Sequence, residues 1–462
     1  MNDTLEQVTE RFAGRTVAFL GVGVSNSPLV RMFAGKAGKI LVCDRRSRAQ
    51  LGGQAAEFEA LGAELRLGED YLKDLGADVL FRAPGMKFHL PELEQARRRG
   101  VAVTSEMEVF FDVCPCRIIA VTGSDGKTTT TSLIADMLRR QGYTVHIGGN
   151  IGKALLPEAA SMRREDIAVV ELSSFQLISM RRSPDIAVVT NVSPNHLDMH
   201  KDMAEYVGAK KNIFLHQNAF GRTVLNLDNA VTASFVPEVR GECLLFSRKA
   251  PVDSGTFLDA DGRLVASGRG GREALMESAR IRIPGLHNVE NMLAACAAVR
   301  GLVKPEIMRE TAETFAGVEH RIEFVRELDG VKYYNDSIAT TPTRTIAGLH
   351  AFGRPVVLIA GGYDKKIPFD ALGPEIARGA KALILLGVTA DQIEKAVREA
   401  PEFSPEKLPI VHVSSLKEAV EEAKRRAVPG DIVTLSPACA SFDMFKNFET
   451  RGDVFKEIVN SL

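Results

Sequence analysis

The run Val121-Thr122-Gly123-Ser124-Asp125-Gly126-Lys127-Thr128 lies between an apolar stretch, RIIAV, and a stretch of helical spacing, KTTTTSLIADMLRRQ. Glycines in such a turn let the backbone approach an anion, and the amides at a helix start point towards it. Lys127 is placed to reach the terminal phosphates of a nucleoside triphosphate, and the Thr128 hydroxyl to ligate magnesium. The strict Walker pattern wants glycine where Val121 stands, so the loop is a shortened GxxGKT variant. The alternative is a glycine-rich turn with an incidental lysine; a strand before it and a helix after it favour phosphate. Gly123, Ser124, Asp125, Gly126, Lys127, Thr128 and Thr129 are the expected ATP loop.

Other reactive types follow apolar runs in the same way. DIAVVELSS delivers Glu171 at a strand's carboxyl end, where a P-loop domain needs a magnesium ligand, although a glutamate there is more often only solvated. In TNVSPNHLDMH, His196 is a candidate ligand for a second metal or a group that satisfies loop backbone. The pair Lys210-Lys211 reads by default as helix surface. HNVEN puts His287, Asn288 and Asn291 at a helix start, where Asn288 either caps the helix or contacts nucleotide. YYNDS ends in Asn335 and Asp336, GGYDKK sets a lysine in a glycine loop, and SPACASFDMFKNFETRG is a long polar and aromatic loop. Open α/β sheets bind ligands at the carboxyl ends of their strands, where all of these loops fall.

The elements that position these residues read as three consecutive α/β domains: 1–113, 114–319 and 320–462. A chain of 462 residues predicts two or three cores. The first segment is βαβ: TVAFLGVG, a turn at Gly21, Gly23 and Ser25, a helical stretch, then KILVCD. Asn26 stands where a dinucleotide fingerprint has its third glycine, which weakens an NAD-dependent oxidoreductase reading. ADVLFRAPG and VAVTSE read as further strands of this Rossmann-like unit. The central P-loop ATPase-type segment runs from RIIAVTG to the amphipathic IPGLHNVENMLAACAAVRGL, with a glycine-rich hairpin near LDADGRLVASGRGGREALM. VKYYNDS, PVVLIAGG, KALILLG, LPIVHV and DIVTLSP predict five strands of a third, Rossmann-like unit.

Bulk composition narrows the classes. Hydrophobic and charged contents of 45% and 25% are those of a soluble globular protein, and a net charge of −1 gives no reason to expect nucleic acid or an anionic membrane. The amino terminus lacks a signal-peptide pattern, and no apolar run reaches bilayer length. Six scattered cysteines point to a reducing cytoplasm; Cys114-Pro115-Cys116 has no second close pair to complete a zinc site.

Taken in order, GxG, APG, TGSDGKTT, GGNIG, ELSSFQL, NHLDMH, YVGAKK, GLHNVEN, HRIE, NDSIATTP, GGYDKK and LSPACASFDMFKNFETRG resemble the Mur ligase family over essentially the whole chain. ELSSFQL together with the last motif resembles the branch that adds D-glutamate. The resemblance implies an ATP-dependent ligase of peptidoglycan precursor synthesis that joins D-glutamate to UDP-N-acetylmuramoyl-L-alanine through an acyl phosphate. It implies ATP and one or two Mg2+ ions, a monomer, and no nucleic-acid or membrane-inserted partner. By motif match, Lys127, Glu171, His196 and Lys210 are catalytic, and Thr128, Glu171, His196 and Lys210 hold metal, with Lys210 carbamylated or a plain lysine. Asn288, Asn291, Arg321 and Asp336 join the ATP loop. Val22, Asp44, Arg45 and Arg46 match the uridine-nucleotide site, which turns the first βαβ unit into a UDP site. Asn150 and Ser173 match the muramyl site, and Thr340, Lys365, Ser441 and Phe448 the D-glutamate site. Two departures stand out: Ile338 replaces a lysine of the usual NDSKATN, with Arg344 or Lys366 as substitutes, and Ala83 replaces a serine before Pro84-Gly85. The rivals are another amino-acid ligase of the family and a nucleotide-binding regulator without catalysis.

Overall fold

Strands without a polar face need cover on both sides, and three such sets form the centres of three sheets. A computed structural model describes residues 4–194, 200–365 and 367–462. The first sheet holds β1 (Thr16–Leu20), β2 (Lys39–Asp44), β3 (Glu64–Leu67), β4 (Val79–Arg82) and β5 (Ala102–Thr104), all parallel in the order β3-β2-β1-β4-β5. The second holds β6 (Arg117–Thr122), β7 (Val145–Gly149), β8 (Ile167–Glu171), β9 (Ile186–Val189), β10 (Arg222–Asn226), β11 (Glu242–Ser247), β12 (Gly255–Leu258), β13 (Arg263–Gly268) and β14 (Gly271–Glu277). Its order is β14-β13-β12-β11-β10-β9-β6-β8-β7. The third holds β15 (Glu323–Leu328), β16 (Val331–Asn335), β17 (Val356–Ala360), β18 (Ala380–Leu385), β19 (Ile410–His412) and β20 (Ile432–Leu435), ordered β15-β16-β20-β17-β18-β19. Three α/β layers therefore follow one another along the chain, as the alternating pattern predicts. By their contacts, the first two sheets fall within one compact unit, Met1–Arg280 with Val289–Thr311, and the third within another, Ile281–Asn288 with Ala312–Leu462.

At two of the strands the pattern missed, β3 and β15, the reason is exposure, whereas β10 was missed although buried. β3 and β15 lie at sheet edges and are mostly half-buried, so Glu64, Arg66, Arg326 and Glu327 interrupt the apolar signal that central strands carry. The glycine-rich excursion proves to be β12 to β14, an antiparallel extension of the central sheet. Asn26 has a local reason too. Its Nδ2 donates to the carbonyls of Leu20, Gly21 and Phe81 at 3.2, 3.1 and 3.1 Å, tying the β1 turn to the end of β4. A glycine could not make that bond.

Glu106 begins the helix Glu106–Val113 that leaves the first sheet, and it is 4% exposed. Its carboxylate accepts the Leu155 and Leu156 amides, both at 2.8 Å, fixing the segment after β7. Burial pushes its carboxyl up to about 7, the two N–H donors offsetting only part of that cost. The folded chain then holds this proton at pH values where the unfolded chain, near 4.5, has released it. Stability from this group is complete below the unfolded value and is lost as pH rises through about 7, a change on the order of 3 kcal/mol. Glu106→Gln keeps an oxygen for the two amides and removes the titration. Its urea midpoint should fall less than the parent's between about pH 5 and pH 8; equal falls would contradict the buried-proton reading.

Candidate functional site

The buried strand β6 ends at Thr122 and feeds a tight loop into the helix Lys127–Gln141, whose N-cap, Gly126, has φ +77°. Both loop glycines are sterically required. A Cβ on Gly123 would lie 1.9 Å from Thr190 Oγ1, and one on Gly126 would lie 2.3 Å from Asn291 Oδ1. The loop is held from the side by the segment after β9. Asn191 accepts the Asp125 amide on its Oδ1 at 2.9 Å, and Thr190 Oγ1 donates to the Asp125 carbonyl at 2.6 Å. Ser124 Oγ lies 2.9 Å from Tyr206 Oη and accepts the Ser193 amide at 2.9 Å. Thr190, Asn191 and Tyr206 were missed by sequence reasoning; their partners are 65 to 82 residues away, and no local spacing signals such pairs.

Two lysines converge on this loop. Lys127 Nζ donates to the carbonyls of Gly123 and Ser124 at 3.0 and 2.9 Å. Lys210, from the helix Met203–Leu215, donates to the same Gly123 carbonyl at 2.7 Å and lies 4.7 Å from the centre of the Tyr206 ring. Lys210 is only 2% exposed, so the surface reading is wrong for it. Burial first, then the Lys127 charge, bring its ammonium down to about 7, against the opposing pull of Asp125 and Glu171.

Glu171 ends β8 beside the loop strand, 1% exposed, so it is not a solvated strand end. Asn150 Nδ2 donates to its Oε1 at 2.7 Å, and the Asn150 amide to its carbonyl at 2.8 Å. Its other oxygen, Oε2, is buried with no hydrogen-bond partner among the described residues. A buried carboxylate oxygen without a donor suits a cation. Thr128 is buried at the start of the adjoining helix, and Asn291 accepts from Thr130 Oγ1 at 3.3 Å. His196 lies outside the described residues. Ser173 caps the helix Ser174–Leu177, its hydroxyl donating to Gln176 at 2.9 Å. Next to it, Ser174, His200, Glu205 and His89 form one polar chain, with contacts of 2.9, 3.3 and 2.7 Å. Burial, partly opposed by Glu205, lowers the His200 imidazole.

At the carboxyl end of the first sheet, Asp44 ties the turn after β1 to the segment after β2. Its carboxylate accepts the Val22 amide at 2.9 Å and a two-pronged contact from Arg46 at 2.9 and 2.8 Å, while Arg46 also reaches the Val22 carbonyl at 3.0 Å. Burial acts to raise the Asp44 carboxyl, but the Arg46 guanidinium and the Arg46 and Val22 amides hold it below its ordinary value. Arg45 is exposed, 3.6 Å from Glu69.

In the third sheet's unit, Lys365 Nζ donates to Thr340 Oγ1 at 3.1 Å, joining the loops after β17 and β16. Burial and the nearby Arg344 and Arg451 charges lower that ammonium. Ser441 is 2% exposed and its hydroxyl has no hydrogen-bond partner among the described residues. Phe448 starts the helix Phe448–Ser461 and meets His320 edge-on at 5.9 Å, its carbonyl accepting from Ser337 Oγ at 2.8 Å. Asp336 is buried, accepting from Ser436 Oγ at 2.7 Å and from the Ile322 amide at 3.2 Å. Burial pushes it up to about 7, against those donors and the Arg321 and Arg344 charges. Asn288 does not cap its helix as an N-cap residue: the helix starts at Leu286, and Asn288 Nδ2 donates back to the Pro284 carbonyl at 2.6 Å. Ile338 is half-buried, Arg344 is exposed, and Lys366 lies outside the described residues. Cys114 and Cys116 are buried free thiols with sulfurs 3.5 Å apart.

Residues 121–299 match the Mur ligase middle domain, and residues 320–439 the Mur ligase glutamate ligase domain. The UDP-N-acetylmuramoylalanine–D-glutamate ligase of Acetivibrio thermocellus is 52% identical over 465 residues, covering all of both chains. The enzyme of the same name from Clostridium novyi is 49% identical, again over all of both. Among solved structures, the UDP-N-acetylmuramate-alanine ligase MurC of Thermotoga maritima superposes with a TM-score of 0.57 at 17% identity, covering 97% of this chain and 99% of that one. MurF of Acinetobacter baumannii gives 0.58 at 16% identity, covering 95% and 93%. At those identities the superpositions speak for the fold.

Proposed function

The chain belongs to the Mur ligase family, and we propose from this that it is the ATP-dependent ligase joining D-glutamate to UDP-N-acetylmuramoyl-L-alanine in peptidoglycan precursor synthesis. The observation that carries the chemistry is the convergence of Lys127, Lys210 and the partnerless Glu171 oxygen around one phosphate loop. A carboxylate is a poor electrophile, and phosphorylation by ATP gives it a leaving group. The amine of D-glutamate attacks the acyl phosphate, and the tetrahedral intermediate expels phosphate to leave an amide. The acceptor carboxylate and the γ-phosphate repel each other, so their approach needs offsetting positive charge.

In this reading the loop amides and Lys127 hold the phosphates, with Asn288, Asn291, Arg321 and Asp336 on the nucleotide side. Thr128, Glu171, His196 and Lys210 hold Mg2+, one ion or two, and the orphaned Glu171 oxygen supports that fit. Magnesium, when bound, supplies positive charge between the phosphates and the carboxylate. An ammonium at Lys210 would repel that ion, whereas a carbamate offers it oxygen. Carbamate formation needs the neutral amine, which burial of Lys210 favours. Val22, Asp44, Arg45 and Arg46 bind the uridine nucleotide, Asn150 and Ser173 the muramyl part, and Thr340, Lys365, Ser441 and Phe448 the D-glutamate carboxylates. The domain bounds 1–113, 114–319 and 320–462 assign UDP substrate, ATP and amino acid in that order. No helix among the described residues is long and apolar enough to cross a membrane, and we place the enzyme in the cytoplasm as a monomer.

Incubation with Mg2+, ATP, UDP-N-acetylmuramoyl-L-alanine and a panel of amino acids tests the proposal by phosphate release. Release with D-glutamate is the expected result. Release with meso-diaminopimelate but not D-glutamate would move the chain to another branch, and ATP binding without turnover on any acceptor would make it a regulator.

A further inference from the structure

Arg451 is among the largest fully buried side chains in the protein, 2% exposed, and it breaks a local rule. It lies in the first turns of the helix Phe448–Ser461, where the helix dipole disfavours a cation. No carboxylate among the described residues comes within ion-pair distance of it, and Asp443 attracts it only from farther off. A buried charge without a counter-ion is costly unless every donor is used, and here the fork is used. Nε donates to Ser337 Oγ at 2.9 Å and Nη2 to the Ser337 carbonyl at 2.8 Å. Nη1 reaches the Cys439 and Ala440 carbonyls, both at 3.2 Å, and Nη2 also reaches Cys439 at 3.1 Å.

These acceptors lie on two loops that carry the proposed amino-acid site. Ser337 stands between Asp336 and Thr340 after β16; Cys439 and Ala440 directly precede Ser441 after β20. The Ala440 carbonyl also accepts the Tyr363 amide at 2.9 Å, which brings in the loop of Lys365. The β20 loop needs such a clamp, because Ala438 is held at φ +59°, a conformation that residues with a Cβ rarely adopt. Ser441 Oγ, one residue beyond the clamp, is the buried hydroxyl without a partner.

We propose that Arg451 is the positioning residue of the amino-acid site: its five hydrogen bonds set the spacing of Thr340, Lys365 and Ser441, and its charge, which no carboxylate among the described residues pairs with directly, selects a dicarboxylate amino acid. This rests on the reading of that site as the D-glutamate site. Local rules broken without local gain concentrate at functional sites. Arginine suits this position and lysine does not, because only a planar fork reaches acceptors on both loops at once.

Initial rates of phosphate release by the full chain test the proposal, with D-glutamate, ATP and the UDP substrate varied in turn. Arg451→Met should raise KM for D-glutamate at least tenfold while KM for ATP and for the UDP substrate stay within twofold. Arg451→Lys keeps the charge but loses the fork, and its KM for D-glutamate should fall between the two. The parent KM for D-glutamate should rise with added salt, and that dependence should persist in Arg451→Lys and weaken in Arg451→Met. A folded Arg451→Met with KM for D-glutamate within twofold of the parent would overturn the proposal. So would equal rises in all three KM values, which a purely structural role predicts. If Arg451→Met does not fold, Arg451→Lys and Ser337→Ala are judged on the same split. A parent that turns over with a different amino acid would refute the substrate assignment alone; the KM of that amino acid then tests Arg451.

Discussion

Lys127→Ala should lower phosphate release about 10^3-fold or more while leaving the dissociation constant for the UDP substrate within twofold of the parent. The size follows from what one side chain does twice. Its ammonium rides over the loop, bonded to the Gly123 and Ser124 carbonyls, where terminal phosphates are expected, and no other described cation contacts both. Its charge is also a cause of the lowered Lys210 ammonium, so its removal lets Lys210 hold its proton more tightly. Alanine therefore removes a phosphate contact and disfavours the neutral amine from which a carbamate forms. The UDP substrate should not sense the change, because Val22, Asp44 and Arg46 are fixed by bonds among themselves. Rate assays and isothermal titration with the UDP substrate measure the two halves separately. Lost affinity for the UDP substrate would contradict the reading that Lys127 serves ATP and not the UDP substrate.

Lys210→Ala should lower turnover about 10^2-fold or more, and formate or acetate should restore at least a tenth of the loss. Removal of this buried side chain leaves room beside Gly123 and Glu171 that a small carboxylate can enter, supplying the oxygens of the missing carbamate. Loop collapse is not the expected cause, because the Gly123 carbonyl keeps its bond from Lys127. Lys210→Met, which fills the same space, should lose activity without rescue. Unchanged activity in Lys210→Ala would remove the residue from the mechanism. Equal response of both variants to acetate would show that the acid acts elsewhere.

Ile338 illustrates the limit of motif transfer. The motif comparison predicts a charge deficit there, with Arg344 as one substitute. The structure adds a cation that the motif comparison did not assign, Arg451, whose charge and that of Arg344 both lower the Lys365 ammonium. Arg451 falls in the stretch read from sequence as a long polar and aromatic loop, of which the structure makes the last residues, from Phe448 on, a helix. Its burial depends on acceptors more than 100 residues away at Ser337 and about ten residues away at Cys439 and Ala440.

The glycine loop and most of the central strands, though not β10 and β11, were legible because both signals are local. A glycine that must take positive φ, a lysine one residue into a helix and an apolar run bounded by turns are each written within a few consecutive residues. The same locality made Glu171 and Asp44 visible at strand ends. What sequence could not supply was the state of those groups, because burial and charge pairing arise between distant segments. Lys210 looks like surface until the helix packs it under Gly123, and Glu171 looks solvated until Asn150 takes one oxygen and leaves the other without a donor. Edge strands β3 and β15 escaped for the related reason that their half-exposed positions tolerate charge. Sequence by itself determined the α/β succession and marked the glycine loop proposed to hold phosphate. Tertiary structure alone decided which of those residues are desolvated and which loops one buried arginine draws together, because solvent exclusion and shared hydrogen-bond acceptors exist only once the chain has folded.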